Sequence, residues 1–407
     1  MPPSDTPRWL SIIGIGEDGV EGLSPRAAAA IAAADLVFGG KRHLGLAAPL
    51  IVGETRAWPS PLADGIVDVV AARGRRVCVL GSGDPMLHGI GATLARIVDP
   101  AEMTVLPGAS AFSLAAAALG WPLADTVTLS LHNRPLSLLK PWLASGARLL
   151  MLTSGADDPA AIARLATDAG FGGSTLTLLE ALGGPHQRVR STTADAFAAD
   201  AVDPLNVVAL DCRADPRTQA PTRVAGRDED LFEHDGQISK REVRAVALAL
   251  LAPRRGELLW DVGGGAGSIG IEWMLADPTL RAIAIEPRAD RAERIGRNAE
   301  RFGVPGLAVV VGAAPAALAG LPMPDAVYLG GGATAPGMFD AIVVAIRPGG
   351  RLVASAVTLE TEALLLAAHA RLGGGLVRIG VERASPVGGM TAWRPAMPVL
   401  LWHWTAS

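Results

Sequence analysis

Residues 257–272, ELLWDVGGGAGSIGIE, place five glycines within eight positions, directly after an apolar run. The apolar run is typical of a buried strand, and a glycine-rich turn after such a strand is typical of a nucleotide-binding domain. The stretch begins more than halfway along a chain of 407 residues, which is long enough for two domains. A different domain is therefore expected in the first two hundred residues.

The glycines of this stretch fit two motifs. Gly265, Gly267 and Gly270 match the dinucleotide fingerprint G-x-G-x-x-G, which would indicate a nicotinamide-dependent oxidoreductase. Asp261 with Gly263, Gly265 and Gly267 matches the D-x-G-x-G-x-G loop of methyltransferases that use S-adenosylmethionine. A pyrophosphate binds neutral N–H groups, whereas an acid suits a donor that carries an ammonium and a sulfonium. The residues favour the methyl donor, and the dinucleotide stays open as the alternative.

Three later apolar runs end in acidic or small residues. In an open parallel sheet the carboxyl ends of the strands form the ligand crevice, so these residues are expected to face it. A carboxylate about twenty residues after the first loop would accept the ribose hydroxyls. The residues predicted at these strand ends are Glu286, Ala313 and Ala314 for the donor, and Gly331 and Gly332 for a substrate.

Strand-like runs alternate with alanine-rich helical runs in both halves of the chain, which predicts an α/β fold with mainly parallel sheets. The pattern breaks at residues 213–235, which are polar and charged and read as an interdomain connection. Domains are therefore predicted at residues 1–212 and 236–407. The runs in residues 376–404 predict a terminal antiparallel hairpin.

Composition excludes several classes of protein. The formal net charge of −4 argues against a nucleic-acid surface, and no apolar stretch approaches the ~20 residues of a membrane span. Cys78 and Cys212 both lie in apolar runs, as expected for free thiols in a reducing compartment, so a cytoplasmic protein is predicted. The histidines and cysteines do not show metal-ligand spacing, and a protein-bound metal is not expected.

The first half contains a second, unrelated glycine-rich turn. Residues 79–91, VLGSGDPMLHGIG, place Gly83, Asp84 and Pro85 after a strand. Together with the segments at 12–27, 105–120, 129–135 and 180–189, this stretch resembles the tetrapyrrole methylases. The resemblance implies a two-lobed α/β domain that holds S-adenosylmethionine in the cleft between its lobes.

The second half is similar to the decarboxylating methyltransferase domain of the cobalamin pathway. The similarity lies in residues 231–251, LFEHDGQISKREVRAVALALL, and in the glycine-rich stretch that follows. The fused pair implies a Rossmann-like domain after the tetrapyrrole methylase domain and one S-adenosylmethionine site in each. It also implies C5 methylation by the first domain, and C15 methylation with loss of the C12 acetate carboxyl by the second. Whether the substrate is a metal-free or a cobalt-containing tetrapyrrole remains open. A non-catalytic tetrapyrrole carrier that has kept both folds is a further alternative.

The resemblance also implies roles for individual residues. Gly83, Asp84, Pro85, Ser110 and Ala111 would bind the donor in the first domain, and Ser239 would reach the donor's carboxylate in the second. Because the substrate is a polycarboxylate, cations are expected around it. Arg241, Arg244 and Arg394 are the predicted substrate contacts, and Lys240, Glu242 and His132 the predicted catalytic residues. Asn133 stands where members of the resembled family commonly have glycine. The resemblance also implies that the protein self-associates.

Overall fold

The computed structural model describes residues 8–198, 200–218 and 222–407. These residues form two compact units, one made of residues 8–136 with 142–218 and the other of residues 137–141 with 222–407. Within the described residues, no helix is long and apolar enough to cross a membrane.

The first lobe of the first unit is a parallel α/β layer, as its sequence predicts. Its strands pair in the order β3-β2-β4-β1-β5, and every pairing is parallel. The central strands are buried along nearly their whole length, since helices cover a parallel sheet on both faces. The strands are β1 Leu10–Ile15, β2 Leu36–Gly39, β3 Glu54–Ala57, β4 Val77–Ser82 and β5 Met103–Leu106; the helices are α1 Pro25–Ala32, α2 Lys41–Ala47, α3 Leu62–Ala71 and α4 Ile90–Leu94.

The second lobe has a mixed sheet, which corrects the expectation of a mainly parallel one. Its order is β6-β7-β10-β8-β9, with only β6 and β7 parallel among these strands. The connection at residues 181–187 is too short for a helical crossover, and a short connection makes β8 and β9 antiparallel neighbours. The elements are α5 Ala111–Leu119, β6 Val127–Ser130, β7 Arg148–Leu152, α6 Asp158–Ala166, β8 Thr175–Glu180, β9 Arg188–Thr193 and β10 Asn206–Asp211.

The second unit is an open, twisted α/β sheet in the order β13-β12-β11-β14-β15-β19-β16. The strands from β13 to β15 are parallel, and β19 runs antiparallel between β15 and β16. The chain reverses its direction of winding between β11 and β14, the position where such sheets bind ligands. The antiparallel pair of β16 and β19 confirms the predicted terminal hairpin, and a separate hairpin of β17 and β18 stands between them.

The second unit contains these elements, in chain order: α7 Arg241–Leu251, β11 Leu258–Val262, α8 Ser268–Ala276, β12 Arg281–Glu286, α9 Ala289–Phe302, β13 Ala308–Val311, β14 Ala326–Leu329, α10 Met338–Ala345, β15 Arg351–Ala356, α11 Leu359–Leu372, β16 Gly375–Ile379, β17 Glu382–Val387, β18 Met390–Pro395 and β19 Val399–Thr405.

The polar segment predicted as a connection, residues 213–235, differs from that expectation in its second half. Phe232 is buried in the core of the second unit, beside α7 and α8. The backbone N–H groups of Gly226 and Arg227 donate to the two carboxylate oxygens of Glu272 at 2.7 and 3.0 Å. Residues 222–235 are therefore part of the second unit, because a buried acid on α8 binds their backbone. Hydrophobic periodicity did not predict this packing, because two of the buried residues involved, Arg227 and Glu272, are charged.

Candidate functional sites

The first glycine-rich turn follows β4, at the carboxyl edge of the first lobe. Gly83 has a φ of +50°, a conformation that glycine adopts without strain. Its carbonyl oxygen accepts the N–H of Gly108 at 2.9 Å, which joins this turn to the loop after β5. Gly14, at the end of β1, lies against both segments, because a Cβ at Gly14 would stand 1.7 Å from the Gly83 oxygen. Three strand ends are thus in direct backbone contact here.

The other predicted donor residues of this domain surround the same turn. Asp84 accepts the N–H of Met86 at 2.9 Å through its carboxylate, so it shapes the turn. The Pro85 carbonyl accepts the N–H of Ala92 at 3.2 Å and leads the chain into α4. Ser110 caps α5 by accepting the N–H of Ser113 at 3.0 Å, and Ala111 begins that helix.

All of these predicted donor residues except Pro85 line a cavity of about 780 Å³ between the two lobes of the first unit. Gly83, Asp84, Ser110 and Ala111 form one part of the wall, and His132 lies on another. The ring Nδ1 of His132 is 3.0 Å from the carbonyl oxygen of Thr153, which orients the ring. The cavity therefore brings together predicted donor residues and the predicted catalytic histidine, from both lobes.

Asn133, beside this histidine, has a φ of +54°. Asparagine is among the few residues that tolerate this left-handed conformation, and its N–H donates to the Ser154 hydroxyl at 2.9 Å. Asn133 can therefore adopt the backbone shape of a turn at which the resemblance leads us to expect glycine.

The cavity also contains cations that sequence analysis did not assign. These are the arginines Arg42, Arg96 and Arg134; the imidazoles of His43 and His88 also line the cavity, and its carboxylates are those of Glu17 and Asp84. An excess of arginine over acid suits an anionic ligand. Arg42 and His43 stand at the start of α2, shortly after β2. They reach the cavity because β2 pairs with β4, and this strand order could not be read from the sequence.

The second glycine-rich turn connects β11 to α8 in the second unit. Gly263, Gly265 and Gly267 have φ values of +78°, +58° and +76°, so each requires the conformational freedom of glycine. A Cβ at Gly265 would lie 3.0 Å from the carbonyl oxygen of Gln237, and one at Gly263 would lie 3.3 Å from the N–H of Gly331. The turn is a cradle that side chains would fill, and it fits a ligand bound close to the backbone.

Two buried carboxylates support this turn. Asp261 accepts the N–H of Gly270 at 3.1 Å, near the start of α8. Glu286 accepts the N–H of Gly265 at 2.9 Å and that of Arg288 at 3.2 Å, and so joins the end of β12 to the glycine cradle. Burial, with a smaller contribution from the nearby Glu286, raises the pKa of Asp261 to about 7. The expected contacts of these acids with a donor's ammonium and ribose stay predictions.

The raised pKa of Asp261 leads to a testable pH dependence of stability. An unfolded aspartate ionises near pH 4, so between about pH 4 and 7 the unfolded chain binds fewer protons here than the folded chain. The free energy of unfolding therefore falls as the pH rises through this window. Asp261→Asn removes the titration, so its stability relative to wild type is expected to rise by about 2 kcal/mol between pH 5 and pH 8. Urea unfolding at both pH values measures this difference, and a difference independent of pH would contradict it.

The remaining strand ends close around the cradle. The Gly330 N–H donates to the Val262 oxygen at 3.0 Å, which places Gly331 and the positive-φ Gly332 beside the first turn. Both glycines are exposed. Ala313 is also exposed and Ala314 half-buried, in the loop after β13, whose Gly312 N–H donates to the Glu286 carbonyl at 3.0 Å.

Ser239 takes part in a chain of hydroxyl groups that the sequence did not indicate. Its Oγ is 3.3 Å from the hydroxyl of Tyr328, which in turn lies 3.3 Å from the Ser355 hydroxyl. Tyr328 is buried and is the only tyrosine of the chain, and it pairs in register with Asp261 on the neighbouring strand. Burial raises the pKa of Tyr328, so the hydroxyl stays protonated and available as a donor.

The charged residues that open α7 have mixed surroundings. Lys240 is the exposed N-cap residue. The Arg241 side chain pairs with Asp228, and Glu242 pairs with Arg383 of the β17–β18 hairpin at 2.7 Å. The catalytic roles of Lys240 and Glu242 and the substrate contact of Arg241 remain predictions.

The position of Arg244 corrects one of the predicted substrate contacts. Its guanidinium is fully buried, lies 2.9 Å from the carboxylate of Glu272 and donates to the carbonyls of Ser239 and Arg227. The prediction that Arg244 contacts the substrate is wrong, because every one of these partners is inside the protein. Arg244 instead holds the backbone of Ser239 next to the cradle.

Arg394 is exposed on β18, opposite Arg383, and its contact with a substrate stays a prediction. Among the described residues, histidines, cysteines and acids do not gather in any group of three or more suited to a metal ion.

Comparison with known proteins matches a separate family model to each half of the chain. Residues 10–198 match the family of tetrapyrrole (corrin/porphyrin) methylases, and residues 230–406 match the precorrin methyltransferase domain. A precorrin-6Y C(5,15)-methyltransferase [decarboxylating] from Sinorhizobium sp is 57% identical over 99% of this chain and 98% of its own length. One from Mycobacterium tuberculosis (strain CDC 1551 / Oshkosh) is 41% identical over 97% and 99%. The solved C-terminal domain of the Rhodobacter capsulatus enzyme is 52% identical, covers 45% of this chain and 99% of its own, and has a TM-score of 0.43.

The chain is thus a fusion of two methyltransferase domains, with the predicted tetrapyrrole methylase first and the Rossmann-like domain second. It belongs to the family of precorrin-6Y C5,15-methyltransferases (decarboxylating). The predicted class, a decarboxylating C-methyltransferase of cobalamin biosynthesis, is confirmed, and the nicotinamide-dependent oxidoreductase is not supported. The methyltransferases of this family use S-adenosylmethionine.

Proposed function

We propose that this enzyme methylates precorrin-6Y at C5 and C15 and removes the carboxyl group of the C12 acetate, giving precorrin-8X. Residues 1–212 methylate C5, and residues 236–407 methylate C15 and decarboxylate, with residues 213–235 between them in the sequence. Each domain binds its own S-adenosylmethionine. The observation that carries this proposal is that each unit has its own glycine-built turn at the carboxyl ends of its strands, made by unrelated motifs.

In the second domain the donor-binding residues are Ser239, Asp261, Gly263, Gly265, Gly267, Glu286, Ala313 and Ala314. Bound S-adenosylmethionine supplies an electrophilic methyl group. The two buried acids suit its cationic groups and ribose hydroxyls, and the absence of Cβ atoms at the glycines leaves room for a close approach. Holding donor and substrate in the same cleft converts the reaction into an effectively unimolecular one, which supports large rate gains without a strongly activated side chain.

Loss of carbon dioxide requires a proton to be delivered to the carbon that keeps the electrons. Lys240 and Glu242, one and three residues after Ser239, are the proposed proton carriers of the second domain. The Tyr328 hydroxyl, 3.3 Å from Ser239, adds a buried donor at the same strand ends. In the first domain, which methylates without decarboxylation, the proposed proton carrier is His132, which lines the same cavity as the donor turn and lies 3.0 Å from the Thr153 carbonyl oxygen.

Product analysis tests the overall reaction. The purified chain with S-adenosylmethionine and precorrin-6Y is expected to give a product that has gained two methyl groups and lost one carbon dioxide. Addition of only one methyl group, or retention of the carboxyl group, would contradict the proposal. Parallel reactions with the cobalt-containing form of the tetrapyrrole decide which of the two forms is the substrate. If the protein binds both forms but converts neither of them, it is a carrier.

We also propose that the enzyme is cytoplasmic and self-associates. The cysteines Cys78 and Cys212 are free and buried, which suits a reducing compartment. The β17–β18 hairpin exposes Val387, Met390 and Trp393, which suits a surface covered by a second copy. Light scattering of the eluting protein measures the mass, and a monomer at micromolar concentration would exclude stable self-association.

A further inference from the structure

A polar cluster stands on the wall of the first unit's cavity, outside the residues assigned above. The guanidinium of Arg42 contacts the carboxylate of Glu17, lies 2.8 Å from the Ser82 hydroxyl and lies 2.8 Å from Nε2 of His43. The same His43 nitrogen is 2.8 Å from the Ser82 hydroxyl. Each of these side chains lines the cavity.

The cluster is adjacent to the first donor turn. Ser82 ends β4 and immediately precedes Gly83 and Asp84. Arg42 and His43 come from the start of α2, directly after β2, and β2 is the strand that pairs with β4. The hydrogen bond from Arg42 to Ser82 and the pairing of β2 with β4 therefore fix the position of Arg42 relative to the donor turn. A ligand group bound to Arg42 would have a fixed position relative to that turn as well.

The charges of the cluster leave Arg42 able to take a further anion. Burial, with a contribution from the neighbouring Arg42, lowers the pKa of His43 to about 4, so the ring is neutral at pH 7. Arg42 stays cationic, since arginine remains protonated under all ordinary conditions, and its only anionic partner in the cluster is Glu17. The Arg42 side chain is 38% exposed. A guanidinium has five N–H donors in a planar fork, which leaves some available for a carboxylate from the cavity.

The rest of the cavity suits a large ligand with an apolar body and acidic side chains. Apolar residues such as Leu62, Leu87 and Ile90 line it, and Arg96 and Arg134 add positive charge elsewhere on the wall. A carboxylate held by arginine in such a partly enclosed site forms a short, strong, directional pair.

We propose that Arg42, held in place by Glu17, Ser82 and His43, is the receptor for an acetate or propionate carboxylate of the tetrapyrrole, and that this contact aligns the macrocycle with the Gly83–Asp84 turn. The inference rests on the proposed C5 methylation by the first domain. Arg42 is thus a substrate-binding residue that fixes which meso carbon faces the donor.

Arg42→Gln and Arg42→Lys test this assignment in the full-length enzyme, with Arg26→Gln, an exposed arginine on α1, as the control. With precorrin-6Y as substrate, quenched products report C5 methylation, C15 methylation and carbon dioxide loss separately. Arg42→Gln is expected to reduce kcat/KM for the C5 step about 10- to 100-fold, mainly through KM for the tetrapyrrole, as loss of a charged hydrogen bond would. Arg42→Lys keeps the charge without the fork and is expected to fall between Gln and wild type.

The KM for S-adenosylmethionine in the C5 step and the rate of carbon dioxide loss are expected to change less than twofold. An unchanged KM for the tetrapyrrole in Arg42→Gln would overturn the proposal. So would an equal rise in the KM for both substrates, because that pattern indicates a damaged turn. If Arg42→Gln fails to fold, Arg42→Lys and Ser82→Ala supply the same comparison. Absence of C5 methylation in wild type would instead refute the proposed function itself.

Discussion

Gly14→Ala is expected to abolish C5 methylation and to destabilise the first unit by about 3 kcal/mol. A Cβ at Gly14 would stand 1.7 Å from the carbonyl oxygen of Gly83 and 2.6 Å from the N–H of Gly108. Both neighbours are backbone atoms, which have no alternative rotamer, so the ends of β1 and β4 have to separate. The hydrogen bond from Gly108 to Gly83 would break with them, and the donor turn would lose its shape. Urea unfolding and product analysis measure the two effects.

Gly45→Ala is the matched control for this substitution. Gly45 lies inside α2 of the same lobe, and a Cβ built there has no described atom within 4 Å apart from its chain neighbours and the backbone of its own helix. Alanine is the better helix former, so the control is expected to be neutral or to stabilise by up to about 1 kcal/mol. If Gly14→Ala behaves like Gly45→Ala in both assays, the close contact of the three strand ends is not a requirement of the donor site.

Glu272→Gln is expected to cost the second unit about 3–5 kcal/mol, and to remove C15 methylation and decarboxylation. Glu272 is buried, lies 2.9 Å from the Arg244 side chain and accepts the N–H groups of Gly226 and Arg227. Glutamine keeps the size of the side chain but removes the charge, which leaves a buried guanidinium without its anion. Because Arg244 also donates to the Ser239 carbonyl, the donor site loses support together with the core.

Asp340→Asn provides the comparison for Glu272→Gln. Asp340 pairs with Arg371 at 3.1 Å, with both side chains largely exposed. Exposed ion pairs contribute little, so a change of at most about 0.5 kcal/mol is expected. A similar small change in Glu272→Gln, measured by the midpoint of urea unfolding, would mean that the buried arginines do not depend on this acid.

The glycine-rich turns could be predicted from the sequence because their chemistry is local. Gly263, Gly265 and Gly267 follow an apolar run, and positive φ values at all three are what such a motif requires. The α/β architecture was predictable in the same way, from the alternation of strand-like and helical runs. The antiparallel part of the second lobe was missed, because periodicity does not report how neighbouring strands are oriented.

The cavity cations and the buried charges depend on contacts between distant residues. Arg42 meets Ser82 only because β2 pairs with β4, and strand order is not encoded in any single motif. Arg244 resembles a solvated arginine at a helix start until its partner Glu272, 28 positions further along the sequence, is placed beside it. An exposed and a buried arginine on the same helix look alike in sequence, and only packing distinguishes Arg241 from Arg244.

The division of labour between the two domains is tested most directly by the products of two variants, each disabled at one donor site. Gly14→Ala is expected to release carbon dioxide and to yield a product with a single added methyl group. Asp261→Asn replaces the buried carboxyl group beneath the second cradle with an amide of the same shape, and its product is expected to retain the carboxyl group of the C12 acetate. Release of carbon dioxide by Asp261→Asn at the wild-type rate, or two added methyl groups with Gly14→Ala, would contradict the assignment of one reaction to each domain.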